Sequence, residues 1–428
     1  MDQEHKKTIA VVGLGYVGLP LALLASKKGY RVIGIDTNQQ KVDLINKKQS
    51  PFLDEKIQQD MLQYPIAATA DFSGVKDASI VIICVPTPVY ENHMPNLEPV
   101  EGASKGIAPF LQKGQLVVLE STVNPGVSES VVMPILEKES GLTCGTDFYL
   151  AHCPERINPG DKNWNVENIP RVIGSYGSAG LAMAVDFYSS IITGSIKQMN
   201  SLKEAEAVKV VENSFRDVNI AFVNELAMSF SHLGIDVVNV IEGAATKPFS
   251  FMAHFPGCGV GGHCIPVDPY YLIEYAKEHG FSHDFLTLAR RINRTMPTYT
   301  VNRVTEGLNE KKIAMNGAKV AVLGLAYKPE IDDCRESPSF DIIEGLKKQG
   351  AQVVTYDPFV LNQSSAKTLQ EALTGARAVV IATGHKVFAA LTPEDMDQYG
   401  ISVVVDGRNC LDKKAFLQQG ITYKGIGR

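Results

Sequence analysis

One cysteine and one carboxylate stand on a loop almost stripped of side chains: Phe255-Pro256-Gly257-Cys258-Gly259-Val260-Gly261-Gly262-His263-Cys264-Ile265-Pro266-Val267-Asp268-Pro269. Glycine at this density lets a backbone or a ligand approach closely. Cys264 has His263 before it and Asp268 four residues later. A thiol beside a cationic group is partly deprotonated and can attack a carbonyl carbon such as that of an aldehyde. The ordinary alternative is a buried, inert cysteine. A metal site built from Cys258, His263, Cys264 and Asp268 is disfavoured, because adjacent ligands are awkward and the spacing matches no zinc pattern.

A second constellation lies near the amino terminus. Gly13-Leu14-Gly15-Tyr16-Val17-Gly18 closes an apolar strand pattern, opens a helical one, and is followed at the end of the next strand by Asp36. In such a turn the first glycine permits the bend, the second lets the backbone reach a pyrophosphate, and the third lets helix and strand approach. The helix amino terminus adds amides and positive dipole, here at Tyr16 and Val17. Asp36 suits the adenosine ribose hydroxyls and repels a 2′-phosphate, so NAD is expected rather than NADP. A hydride acceptor paired with a thiol nucleophile points to an oxidation passing through a thioester.

Val85-Pro86-Thr87-Pro88 and Leu119-Glu120-Ser121-Thr122-Val123 follow apolar strands, at the carboxyl ends where open α/β sheets bind ligands. Pro86, Thr87, Ser121 and Thr122 are therefore expected to flank the nicotinamide, with capping and turn roles the alternative for each hydroxyl. Lys209 and Asn213 are spaced i to i+4 and project from one helix face toward the same point, where one oxygen can contact both; the bland reading is a solvated pair.

The elements that must position these groups follow from the pattern. A chain of 428 residues supports about two or three domains with full cores. From Thr8 to about Ile196, β-branched runs alternate with helical patterns, the mark of βαβ units and a doubly wound parallel sheet. Between Gly194 and Gly234 there is neither glycine nor proline, which predicts one long helix. Helical pattern returns at Pro269 to His279 and Phe285 to about Leu308. From Lys319 the sheet rhythm resumes, and Val322-Leu323-Gly324-Leu325-Ala326-Tyr327 and Val353–Asp357 echo Val12–Tyr16 and Val32–Asp36. The expected fold is α/β: two Rossmann-like doubly wound domains, 1–200 and 309–428, joined by a long central helix and an all-helical middle domain, 201–308.

A net charge of −6 argues against nucleic acid or an anionic membrane as partner. Seven cysteines, an odd number without regular spacing, read as thiols in a reducing cytoplasm. Neither a signal peptide nor a membrane-spanning run is expected.

With these pieces in order, the chain resembles the nucleotide-sugar 6-dehydrogenases nearly end to end. The resemblance rests on G-L-G-Y-V-G-L-P from Gly13, E-S-T from Glu120, P-E-R from Pro154, K-x-x-x-N from Lys209, N-E at Asn224, G-G-H-C-x-x-x-D-P from Gly261, and A-Y-K-P-x-x-D-D-x-R-E-S-P from Ala326. It implies four-electron oxidation of a UDP-sugar's C6 alcohol to a carboxylate with NAD, for surface polysaccharide precursors. Water held by Lys209 and Asp268 would take the alcohol proton, Cys264 would attack the unreleased aldehyde to give a thiohemiacetal, a second NAD⁺ would take the next hydride, and the resulting thioester would be hydrolysed by water positioned with Thr122, Glu155, Lys209 and Asp268. Lys209 and Asn213 would stabilise the oxyanions. Glu155, Arg156, Gly261 and Lys328 would meet substrate, Lys247 would reach it from a neighbouring subunit, and Arg335 would reach the cofactor. The resemblance also implies at least a homodimer, through the central helices.

Members acting on UDP-glucose usually carry another residue after P-E, a serine before the cysteine, and a lysine where this chain has Val267, so an acetamido sugar is favoured. Pro154-Glu155-Arg156-Ile157-Asn158-Pro159-Gly160 and Thr246-Lys247-Pro248-Phe249 look closer to the UDP-N-acetylglucosamine type than to the UDP-N-acetylmannosamine type, which more often has V-L-P-G after P-E-R. The rivals are a UDP-glucose 6-dehydrogenase, a two-electron β-hydroxyacid dehydrogenase, which would need neither Cys264 nor a third domain, and a non-catalytic NAD-dependent regulator.

Overall fold

The computed structural model describes residues 6–52, 54–90, 94–157 and 163–428, so Asn158, Pro159 and Gly160 of the P-E-R segment lie outside the described residues. The chain forms two compact units: Met1–Glu212 with Tyr270–Phe281, and Asn213–Pro269 with Ser282–Arg428.

The first unit is built on eight strands: β1 (Lys6–Val12), β2 (Tyr30–Ile35), β3 (Ala67–Thr69), β4 (Ile80–Ile83), β5 (Leu116–Leu119), β6 (Tyr149–His152), β7 (Arg171–Ser175) and β8 (Ile196–Gln198). Their order is β3-β2-β1-β4-β5-β6-β7-β8. The first six pair in parallel, whereas β7 runs antiparallel to β6 and β8 follows β7. Strands covered on both faces read as continuous apolar runs, and their side chains divide by period two. Ile9, Val11, Ile82 and Val118 enter one core while Ala10, Val12, Val81, Ile83 and Val117 enter the other. Parallel pairing brings the carboxyl ends of the first six strands to one edge of the sheet. Gly13, Cys84, Glu120 and Cys153 are the residues that follow β1, β4, β5 and β6 there.

The second unit carries a five-stranded parallel sheet of β9 (Lys319–Leu323), β10 (Gln352–Tyr356), β11 (Ala378–Ile381), β12 (Val403–Asp406) and β13 (Thr422–Gly425), in the order β10-β9-β11-β12-β13. Its first turn repeats that of the first sheet: Gly324 has φ +99° where Gly13 has +93°. The amides of Leu325 and Ala326 donate to Asp357 Oδ2 at 2.7 and 2.9 Å. Val301, Val304 and Leu308, on the helix Asp284–Glu310, pack with Val320, Val322 and Val403 of the sheet. A smaller core joins Val223, Ala227, Val237, Ile241, Met296 and Ile426.

The expected long helix is a single span, Leu202–Leu233, of 32 residues. It stops at Gly234, whose φ of +68° is the left-handed conformation that ends helices. Asp236 then caps the helix Val237–Ala245 by accepting from the amides of Val238 and Asn239. The remaining helical expectations appear as Asp268–Glu278 and Asp284–Glu310. Among the described residues no helix is long and apolar enough to cross a membrane.

Candidate active site

In the first unit the three glycines of the amino-terminal turn have three different surroundings. A Cβ on Gly13 would lie 2.5 Å from the carbonyl oxygen of Cys84, and one on Gly18 would lie 1.9 Å from that of Gly13. A Cβ on Gly15 would meet nothing within 4 Å. The turn is thus closed by packing at its two ends and open at its middle, as a backbone that must take a pyrophosphate requires. Leu14 donates its amide to Asp36 Oδ2 at 2.9 Å, Asn38 donates to Oδ1 at 2.9 Å, and Lys41 Nζ stands 2.7 Å from Oδ2. Burial works against the Asp36 charge, yet Lys41 and the two amides together hold its carboxyl below the ordinary value. A carboxylate has about four lone-pair sites, so acceptor capacity is left for ribose hydroxyls. These residues fit NAD. Tyr16 is half exposed and stacks on Phe52 at 4.1 Å, and Val17 immediately precedes the helix Gly18–Lys27. Lys41 carries little sign of this role in the sequence. Its only signal is its place in the turn after the Asn38 cap.

At the ends of β4 and β5, Pro86 is exposed, Thr87 and Thr122 are half-buried and Ser121 is buried. The Ser121 hydroxyl donates to Val85 O at 2.7 Å, a turn-fixing bond, and Tyr271 donates its hydroxyl to Thr87 O. Beyond Thr122, Glu206 on the long helix accepts from the amides of Gly126 and Ser128. Burial pushes its carboxyl up to about 7 against those bonds.

Glu155 is buried. Its Oε1 accepts from the amides of Arg156 and Ile157, and its Oε2 stands 3.0 Å from Nη2 of Arg171, which has no exposed surface. The same guanidinium lies 3.6 Å from Glu120, which also accepts from the Tyr188 hydroxyl. Two carboxyls thus share one buried cation. Burial pushes Glu120 up to about 7, Arg171 opposes the rise, and the Glu155 charge adds to it. Arg171 and Tyr188 escape sequence reading because their partners are distant in the chain and their strand and helix are otherwise apolar. Arg156 is itself engaged, paired with Glu212 and donating to Pro170 O at 3.0 Å. Lys209 is half-buried.

In the second unit Cys264 is half-buried and in no disulfide, and its carbonyl accepts the amides of Val267 and Asp268 at 3.0 and 2.8 Å. That turn delivers Asp268 to the first position of the helix Asp268–Glu278. Asn213 Nδ2 donates to Asp268 Oδ2 at 2.5 Å, with both side chains buried. Asn213 is therefore not a solvated residue of the long helix. The glycines of the loop answer to protein neighbours. A Cβ on Gly259 would lie 2.6 Å from Pro338, one on Gly261 2.7 Å from Tyr327 Cβ, and one on Gly262 2.8 Å from the Tyr327 ring. The G-G-H-C and A-Y-K-P segments, separate in the sequence, thus pack directly on each other. Arg335 pairs with Asp333 at 2.6 Å. Burial raises the Tyr327 phenol, Asp333 and Cys264 add to the rise, and Arg335 and Arg216 oppose it. Lys328 is half-buried, and Lys247 lies over the Phe249 ring at 4.8 Å on an exposed segment.

The fold and these constellations define a class. The chain belongs to the UDP-glucose/GDP-mannose dehydrogenase family: the family's NAD binding domain matches residues 7–192, its central domain 203–295 and its UDP binding domain 321–413. It is an NAD-dependent oxidoreductase. Among its relatives, it is 37% identical to the UDP-N-acetyl-D-mannosamine dehydrogenase of Pyrococcus horikoshii, over 98% of this chain and 99% of that one. It is also 37% identical to the UDP-N-acetyl-D-glucosamine 6-dehydrogenase of Pseudomonas aeruginosa, over 95% and 97%. A solved structure of the Pyrococcus horikoshii UDP-D-ManNAc dehydrogenase superposes with a TM-score of 0.92, covering 98% of this chain and 99% of that one at 36% identity.

Proposed function

We propose that this enzyme oxidises the C6 hydroxyl of a UDP-N-acetylhexosamine to the carboxylate, supplying a uronic acid precursor for surface polysaccharide, with UDP-N-acetylglucosamine ahead of UDP-N-acetylmannosamine. The observation that carries the reading is the buried Asn213–Asp268 bond on the turn that presents Cys264. It gives a thiol nucleophile, a carboxylate to hold water and an amide donor for an oxyanion. Relatives named for both sugars, each 37% identical, support the acetamido class.

The bound cofactor would supply the hydride acceptor for each of the two oxidations at C6, one NAD⁺ per oxidation. The chain does the rest. Water held by Lys209 and Asp268 takes the alcohol proton. Cys264 attacks the aldehyde to give a thiohemiacetal; its oxidation, with a second NAD⁺ as the hydride acceptor, would leave the thioester, which is hydrolysed by water positioned with Thr122, Glu155, Lys209 and Asp268. Lys209 and Asn213 stabilise the oxyanions. Arg171, by fixing the Glu155 carboxylate, keeps it oriented. Arg156, Gly261 and Lys328 meet the substrate, Arg335 the cofactor, and Lys247 the substrate of a neighbouring subunit. The chain works as three parts, 1–200 for NAD, 201–308 for chemistry and assembly, and 309–428 for the UDP group. The family's UDP binding domain counts against a two-electron β-hydroxyacid dehydrogenase, which has no use for it.

The test is kcat/KM with NAD⁺ for UDP-glucose and the UDP derivatives of N-acetylglucosamine, N-acetylmannosamine and N-acetylgalactosamine. The reading expects the first two acetamido sugars to lead, N-acetylglucosamine first. A higher kcat/KM for UDP-glucose overturns it.

A further inference from the structure

Asn224 opens the N-E pair of the long helix and takes no part in the chemistry above. It is fully buried, at 0% exposure. Its Oδ1 accepts the amide of Gly257 at 3.0 Å and its Nδ2 donates to Asn293 Oδ1 at 2.9 Å. Asn293 in turn donates its Nδ2 to Asp217, at 3.0 Å to the carbonyl and 2.8 Å to Oδ1. Arg290 Nη1 meets the same Oδ1 at 2.5 Å. All of these residues belong to the second unit.

The two ends of this chain of bonds fix its direction. A backbone N–H only donates and an ionised carboxylate only accepts, whereas a side-chain amide can present either edge. Asp217 therefore turns the Asn293 nitrogen toward itself and the oxygen toward Asn224. Asn224 is left with its own oxygen facing Gly257. Any other orientation of either amide buries two donors or two acceptors face to face, a costly arrangement where water cannot enter. Burial raises the Asp217 carboxyl, and Arg290 and Asn293 oppose the rise.

What the relay holds is the loop that ends in Cys264. Gly257, Gly259, Gly261 and Gly262 give that loop few side chains with which to anchor itself. Other pins come from the sheet side: Cys258 N to Gly407 O at 2.9 Å and Gly262 N to Arg335 O at 2.9 Å. From the long helix, Asn224 pins the loop at its first residue, Gly257, and Asn213 pins it at its last, Asp268. We propose that Asp217, Asn293 and Asn224 form a buried relay of fixed polarity that positions the Gly257–Asp268 loop, and with it the Cys264 thiol, for attack. They are positioning residues, and the inference rests on the reading of Cys264 as nucleophile.

The experiment compares Asn224→Ala with Asn224→Asp for kcat, KM, thermal midpoint and release of aldehyde to a hydroxylamine trap. Aspartate restores an acceptor for Gly257 but adds a second buried carboxylate, so a packing role makes it the worse variant and a positioning role the better catalyst. The relay predicts that alanine lowers kcat about 10- to 100-fold with KM nearly unchanged and with aldehyde trapped, since displacement of a reacting group by about 1 Å costs up to 100-fold. Aspartate recovers about tenfold of that loss while melting no higher than alanine. An aspartate variant no faster than the alanine variant overturns the relay. If Asn224→Ala does not fold, Asn293→Ala, which frees the Asn224 amide to turn, takes its place with the same kcat criterion. Cys264→Ala is assayed alongside. Acid formation at the wild-type rate by that variant defeats the nucleophile reading itself, whatever the Asn224 variants do.

Discussion

Gly15 and Gly18 lie three residues apart in one turn and do opposite things. The space beside Gly15 is open for 4 Å, whereas a Cβ on Gly18 would sit on the Gly13 carbonyl. Gly15→Val is therefore expected to raise the dissociation constant for NAD at least about tenfold, while the thermal midpoint moves by no more than about 3 °C. Gly18→Val forces one backbone segment off another and is expected to lower the midpoint by well over about 5 °C or to prevent folding. Calorimetric titration and thermal melts separate the two. Equal loss of stability in both would contradict the assignment of Gly15 to the ligand side. This difference in role is legible in the sequence because the spacing of the turn encodes it. Arg171 is not, since a single arginine at the head of an apolar strand carries no sign of the two carboxyls that the sheet brings to it.

Among the elements, the long helix holds the loop after Thr122 through Glu206. The Glu206 carboxyl titrates near 7 in the folded protein against an ordinary value of 4.5. Folding therefore takes up a proton at this site between those values, so stability falls as pH rises from about 4.5 to 7 and levels off above. Glu206→Gln removes that share and flattens the slope by at most about 1.4 kcal/mol per pH unit. Denaturant unfolding across pH 4.5–8 reads it, and an unchanged slope would contradict the buried carboxyl. The absence of glycine and proline between Gly194 and Gly234 predicts the helix, and Leu202–Leu233 occupies all of that interval except its first residues, which form β8 and the turn after it. The reversal of β7 was not legible. Arg171–Ser175 has the same apolar pattern as a parallel strand, and its direction is set by pairing with β6 rather than by its residues.

At the scale of the whole molecule, the second unit exposes several large apolar side chains. Phe215 and Phe222 lie seven residues apart on one face of the long helix, and Phe249, Met252, Phe255 and Phe285 are each more than half exposed. Phe215 meets His254 edge to face, which joins the helix face to the Met252–Phe255 segment. Self-association through this surface is expected. A doubly substituted Phe215→Glu, Phe222→Glu protein should sediment as a monomer where the wild type does not, and a monomeric wild type at micromolar concentration would contradict it. The two sheet domains were legible because βαβ rhythm is local. The packing of the Cys264 loop against Tyr327 and Pro338 was not, because it joins segments more than 60 residues apart. The account turns on Cys264 as a nucleophile that carries the sugar from aldehyde to acid without releasing it. Its most direct test is the number of NADH formed per UDP-N-acetylhexosamine consumed, counted by absorbance against product by mass spectrometry. The account predicts two NADH and one uronic acid for the wild type, with acid lost in Cys264→Ala; one NADH per sugar, or undiminished acid from that variant, would contradict it.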